Sequence, residues 1–176
     1  MMKLNIVLFQ PEIPQNTGNI MRTCVGVDAK LHLIKPLGFE LDEKHLRRSA
    51  VDYYQFIEYE IYENYEDFLE KNKGANIFYS TRYGHKPLSS IDLKAYGGDI
   101  YLMFGKESAG IPYEILANNI DNCYRLPTND KVRSLNLSNC VAVSIFEVLR
   151  QFDYEGLSFE EPENLKGANF LDQFKH

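Results

Sequence analysis

Four short apolar runs, each followed by a polar stretch, limit what this chain of 176 residues can become. Leu4–Phe9, Leu31–Ile34, Ala75–Thr81 and Asp99–Phe104 read as strands with no wetted face, the pattern of a sheet covered on both sides. Helical segments lie between them: about Gly18 to Val27, capped by Asn16 or Thr17; a short polar one from Asp42; Tyr65 to Lys71, ended by Gly74; and Ile111 to Asn118, with Pro112 in its first turn. Pro11 and Pro14 hold the first loop extended. Tyr53–Tyr59 contains a further strand, and Cys123–Leu126 is the last. The longest helix, Asn136 to Phe152, is apolar nearly all round, so the core or a partner subunit must cover it. Strands alternating with helices predict an α/β domain, a mostly parallel sheet flanked by helices. Such sheets bind ligands at the loops after their strand C-termini. The length suits one domain, over residues 1–155, with an acidic tail at 156–176.

The formal charge of -6 seems to exclude a nucleic-acid partner, but its distribution does not. Residues 58–70 hold six acids and no base, and residues 153–176 carry a net -4. Taking those two segments from the total leaves +4 on the rest of the chain. Three cysteines without a C-x-x-C, and four scattered histidines, predict no disulfide framework and no metal site. No run of about 18 apolar residues and no signal peptide are present, so the expected location is cytoplasmic, with no membrane partner.

Chemistry concentrates in three polar, glycine-bearing loops that follow strands: Pro14 to Arg22, Gly105 to Pro112, and Leu126 to Asn139. The second is not a phosphate loop, because Ile-Pro follows Gly110 where Lys-Ser/Thr is required. No G-x-G-x-x-G exists, and Ser108 lacks a nucleophile-elbow context. Taken singly, the glycines serve turns, Glu107 is a solvated acid, Arg22 a surface ion-pair partner, and Ser134 or Asn136 a helix cap. The tyrosines at 53, 54, 59, 62 and 65 read as packing, and His85 has no partner for nucleophilic catalysis. Yet the longest helix opens on Ser134, Asn136, Ser138 and Asn139, and such a start suits a polar ligand.

Together, Asn16-x-Gly18-x-x-x-Arg22, then Gly105-x-Glu107-x-x-Gly110-Ile-Pro112, then Leu126-Pro127 with Ser134-Leu-Asn136-Leu-Ser138, resemble the three motifs of the SpoU branch of the SPOUT methyltransferases. Order, spacing and strand context match, and Asn5–Phe9, Pro11–Pro14 and Leu46–Arg48 add to the likeness. It is closest to the small tRNA ribose 2′-O-methyltransferases of TrmL (YibK-like) type and covers about residues 3–155.

That resemblance implies S-adenosyl-L-methionine as methyl donor, the 2′-hydroxyl of the wobble nucleotide (position 34, cytidine or carboxymethylaminomethyluridine) of leucine tRNAs as acceptor, a homodimer, and a C-terminal trefoil knot. It implies cofactor contacts from Ser80, Thr81, Gly105, Glu107, Gly110, Leu126, Ser134, Leu135 and Asn136. Asn16, Glu107 and Ser138 belong with the catalytic set. Arg22 is its arginine, acting as base or as a clamp that stabilises the alkoxide, in the partner subunit's site. Phe146 departs from relatives that carry tyrosine, so no hydroxyl comes from there. Lys44, Arg47, Arg48, Lys131 and Arg133, with Arg82 and Lys86, are the candidate RNA contacts. The alternatives are the same fold acting on another tRNA position or on rRNA, and a non-catalytic RNA-binding module.

Overall fold

The computed structural model describes residues 1–41 and 53–175. In chain order its main elements are β1 (Leu4–Phe9), α1 (Pro14–Gly26), β2 (Lys30–Ile34), β3 (Tyr59–Tyr62), α2 (Tyr65–Lys71), β4 (Asn76–Ser80), β5 (Ile100–Phe104), α3 (Tyr113–Asn118), β6 (Cys123–Tyr124) and α4 (Leu137–Gln151). The strands form one sheet in the order β3-β2-β1-β5-β4-β6, every neighbouring pair parallel. β1 is central and buried along its whole length, as its unbroken apolar run requires. Leu4, Ile6 and Leu8 face one layer with Ile20, Met21 and Cys24 of α1 and Val141, Ile145 and Val148 of α4. Val7 and Phe9 face the other layer, with Phe68 of α2 and Leu116 of α3.

Boundaries differ from the sequence reading at several elements: the helix expected from Ile111 starts at Tyr113 with Pro112 as its cap, the last strand ends at Tyr124, and the larger shifts are in α1 and β3. α1 starts at Pro14, and neither Asn16 nor Thr17 caps it. Proline fits the first helical position, where no intrahelical N–H partner exists. The strand expected within Tyr53–Tyr59 lies at Tyr59–Tyr62, with a single 3₁₀ turn at Tyr54–Phe56 before it. The segment from Asp42, with Lys44, Arg47 and Arg48, lies outside the described residues. Beyond α4 the tail runs in turns to a 3₁₀ helix at Phe170–Phe174 and leaves Phe159, Leu165, Leu171 and Phe174 exposed.

The acidic segment has a specific use. Lys3 pairs with Glu58, Lys30 with Glu60, Lys35 with Glu63, Lys71 with Asp67 and Lys73 with Glu70. Each exposed pair contributes little stability, but together they neutralise the cations on the β2–β3 side of the sheet.

One buried polar network sits in the core. His32 of β2 lies 2.7 Å from the Tyr62 hydroxyl through Nδ1 and 2.9 Å from Asn5 Oδ1 through Nε2. Asn72 donates to the same hydroxyl at 3.2 Å. Burial first, and then the Lys30 charge, push the imidazole pKa down to about 4. The unfolded chain takes up this proton near pH 6.5, while the folded chain resists it. Stability should therefore fall as pH drops from 6.5 towards 4, with His32 accounting for about 3 kcal/mol of the loss. Urea denaturation of His32→Gln, which cannot titrate, should lose less over that interval. Parallel curves for parent and variant would contradict this.

Candidate active site

Because the strands run one way, the loops leaving β1, β4, β5 and β6 emerge at one edge of the sheet. The chain passes from β1 to β2 on one side, while β5 lies on the other. A crevice opens at such a reversal of strand order. Here it is a cleft of about 510 Å³, within the ~300–1,000 Å³ usual for small-molecule sites. Ser80, Thr81, Gly105, Glu107, Gly110, Leu126, Ser134, Leu135 and Asn136 all line it, as do Asn16 and Arg133.

The wall formed by residues 105–110 is a tight turn, closed by the Gly110 N–H donating to the Lys106 carbonyl at 2.8 Å. A Cβ on Gly105 would lie 2.1 Å from the Gly110 carbonyl carbon and 2.3 Å from the Ile111 nitrogen. Only glycine lets the two backbone segments meet.

Four side chains tie the three motif loops together. The Glu107 carboxylate accepts from the Glu12 N–H at 2.8 Å, the Ile13 N–H at 3.1 Å and Asn16 Nδ2 at 3.2 Å. Asn16 Oδ1 in turn accepts from Asn136 Nδ2 at 3.1 Å. Asn136 Oδ1 caps α4, accepting from the Ser138 N–H at 2.9 Å and the Ser138 hydroxyl at 2.6 Å. Glu12 reciprocates by accepting from the Ser108 N–H and hydroxyl, both at 2.8 Å, and those donations hold its carboxyl below the usual range. Glu107 therefore meets three donors at the positive end of α1, which suits an anion. Glu107→Gln would turn an amide donor towards one of those donors. It should lower unfolding free energy by about 2 kcal/mol, read as an earlier urea midpoint; an unmoved midpoint would contradict this role.

Arg22 and Ser138 are not among the residues that line the cleft. Arg22 is exposed on α1, its guanidinium 5.8 Å from the centre of the Tyr53 ring. Ser138 is engaged in the α4 cap. Lys131 is exposed in the loop before α4 and stands outside the lining. Sequence reasoning passed over Tyr83 and Tyr113, which both line the cleft and stand partly in solvent. The available signals were an aromatic residue in the polar loop after Thr81 and another directly after the Gly105–Pro112 loop.

The walls suit S-adenosylmethionine. Ile111, Leu116, Leu126, Leu135 and Leu137 offer apolar surface for the adenine and methylene groups, and Ser80, Thr81, Thr128 and Ser134 offer hydroxyls for its polar ends. No group of His, Cys, Asp and Glu able to hold a metal occurs among the described residues. None of their helices is long and apolar enough to cross a membrane.

Residues 3–146 match the SpoU rRNA Methylase family. The tRNA (cytidine(34)-2'-O)-methyltransferase of Photorhabdus asymbiotica is 46% identical over 165 residues, covering 90% of this chain and 99% of that one. A solved structure concerning 2-OH methylation of C/U34 on tRNA superposes with a TM-score of 0.79 at 37% identity, over 88% of this chain and 99% of the other. An AdoMet-bound rRNA methyltransferase from Sinorhizobium meliloti gives 0.71 at 25% identity, over 84% and 56%.

Proposed function

The chain belongs to the SpoU methylase family, and on that premise we propose that it methylates the ribose 2′-hydroxyl of nucleotide 34 of leucine tRNAs. S-adenosylmethionine supplies the methyl group, already activated as a sulfonium. The observation that carries the reading is the convergence of three sequence-distant loops on one cleft, fixed by the Glu107–Asn16–Asn136 chain of hydrogen bonds. The acceptor is read from relatives that act on nucleotide 34, and a cytoplasmic location follows from such an acceptor.

The protein's own work is alignment and charge. Ser80, Thr81, Leu126, Ser134 and Leu135 would bind and orient the donor, and Gly105 and Gly110 shape the wall beside it. Glu107, Asn16 and Asn136 act as positioning residues: they hold α1 and α4 against the loop after β5. Ser138 supports the same cap. Alignment of this kind supplies a large part of the rate when the electrophile is already activated.

Arg22 lies outside the cleft of its own chain, so its role needs a second copy that brings it to the reacting hydroxyl. A homodimer is supported by α4, where Asn139, Val143, Phe146 and Arg150 form one exposed stripe. Val143 and Phe146 at its centre are 52% and 51% exposed, unusual for adjacent apolar side chains on one helix face. The C-terminal trefoil knot belongs to the same reading. It rests on membership of the family.

Thermal unfolding with S-adenosylmethionine tests the donor site. A concentration about a hundred times the Kd adds about 2.7 kcal/mol, raising Tm by roughly 5–10 °C for a chain of this length. Gly105→Ala should abolish the rise. No rise in the parent protein would instead favour a non-catalytic RNA-binding module.

A further inference from the structure

Tyr83, in the loop after β4, and Tyr113, at the start of α3, meet at the rim of the cleft. Their rings pack edge to face, 5.7 Å between centres and 85° between planes, with the hydroxyls 3.5 Å apart. Tyr83 is 46% and Tyr113 65% exposed, so the pair is not core packing. The Arg82 guanidinium lies 5.2 Å from the centre of the Tyr83 ring. Arg133 and Arg82 are both within electrostatic reach of the Tyr113 hydroxyl. Arg125 fastens the base of the rim, donating to the Arg82 carbonyl at 3.1 Å and the Thr128 hydroxyl at 3.4 Å.

The surrounding charge is selective. The lysines of the β2–β3 side are matched to carboxylates, but among the described residues Arg82, Arg125 and Arg133 form no ion pair. Exposed aromatic side chains beside guanidinium groups with no ion pair are what single-stranded RNA requires: a base stacks on a ring while its phosphates meet the cations. We infer that the Tyr83–Tyr113 pair, with Arg82 and Arg133, is a stacking platform for an unpaired base next to the nucleotide being methylated. The inference rests on the RNA acceptor proposed above and adds the residues that hold its neighbouring base.

The test uses an anticodon stem-loop, a set of the same stem-loops each abasic at one loop position, and the doubly substituted Tyr83→Leu, Tyr113→Leu protein. On the intact stem-loop the variant's KM should rise about tenfold or more, with kcat near that of the parent and S-adenosylmethionine affinity unchanged. On one abasic RNA the difference between parent and variant should disappear, because the base that stacks is missing. Tyr113→Phe, which keeps the ring, should lose less affinity than Tyr113→Leu. An unchanged KM, an equal loss on every abasic RNA, or weakened S-adenosylmethionine binding would overturn the platform; the last would mean that the rings close over the cofactor. Fluorescence anisotropy read in parallel separates the two proposals. A parent protein that binds the stem-loop without methylating it contradicts the acceptor and still tests the platform, and no binding at all overturns both.

Discussion

Arg22→Lys should slow single-turnover methyl transfer by about 10²–10³-fold, the effect of removing one well-placed donor to a developing oxyanion, while S-adenosylmethionine affinity stays intact. Arg22 is exposed and outside the lining of its own cleft, so the loss cannot come from a damaged donor site. It sits on a helix whose start is clamped by Glu107 through the Glu12 and Ile13 N–H groups, so the backbone that carries it is held in place. Lysine keeps the charge but loses the planar, forked set of donors that can hold a phosphate and a reacting oxygen together. Unfolding temperatures of the two proteins should agree, since among the described residues Arg22 lies beside the Tyr53 ring, a cation–ring contact that lysine also makes. A variant retaining most of its single-turnover rate would contradict both the clamp and the base roles.

Phe146→Glu should convert the proposed dimer to monomers of 20.4 kDa and, with Arg22 acting across that dimer as proposed, take turnover down by about the same factor as the arginine change. Half of the Phe146 side chain is already in solvent, so a carboxylate there costs the isolated fold little. Facing its own copy across a two-fold axis, the same carboxylate would be desolvated beside its twin. Light scattering on the eluting protein measures the mass directly. A parent protein that elutes as a monomer, or a variant that remains a fully active dimer, would contradict the dimeric site.

The strands and the three loops were legible because their signals are local. β1, β2, β4 and β5 are apolar runs bounded by breakers, and the α4 cap is a side chain bonding two and three residues ahead. What escaped depends on partners far along the chain. Asn16 looks like a helix cap by residue type, yet its side chain bridges Glu107 and Asn136, 91 and 120 residues away, inside a helix begun by Pro14. β3 was misplaced because its Glu60 interrupts the apolar pattern. That acid is tolerated because β3 is the edge strand and the side chain stays partly in solvent, beside Lys30 of the neighbouring strand, a placement that no local window contains. Pairing also gives the acids at 58–70 their use: five are matched to lysines, three of them far along the chain and two within four residues, while among the described residues the guanidinium groups at the cleft form no ion pair. Tyr83 and Tyr113, 30 residues apart, become a pair only when the loops after β4 and β5 share one edge.

Incubation of the purified protein with S-adenosylmethionine and tRNA from cells that lack this modification, followed by nuclease digestion and mass spectrometry of the nucleosides and the anticodon fragment, tests the central claim most directly. One added methyl group on the ribose of nucleotide 34 in leucine tRNAs is the predicted result. A base-methylated product, a 2′-O-methyl group at another nucleotide, or no product from a protein that binds S-adenosylmethionine would contradict it.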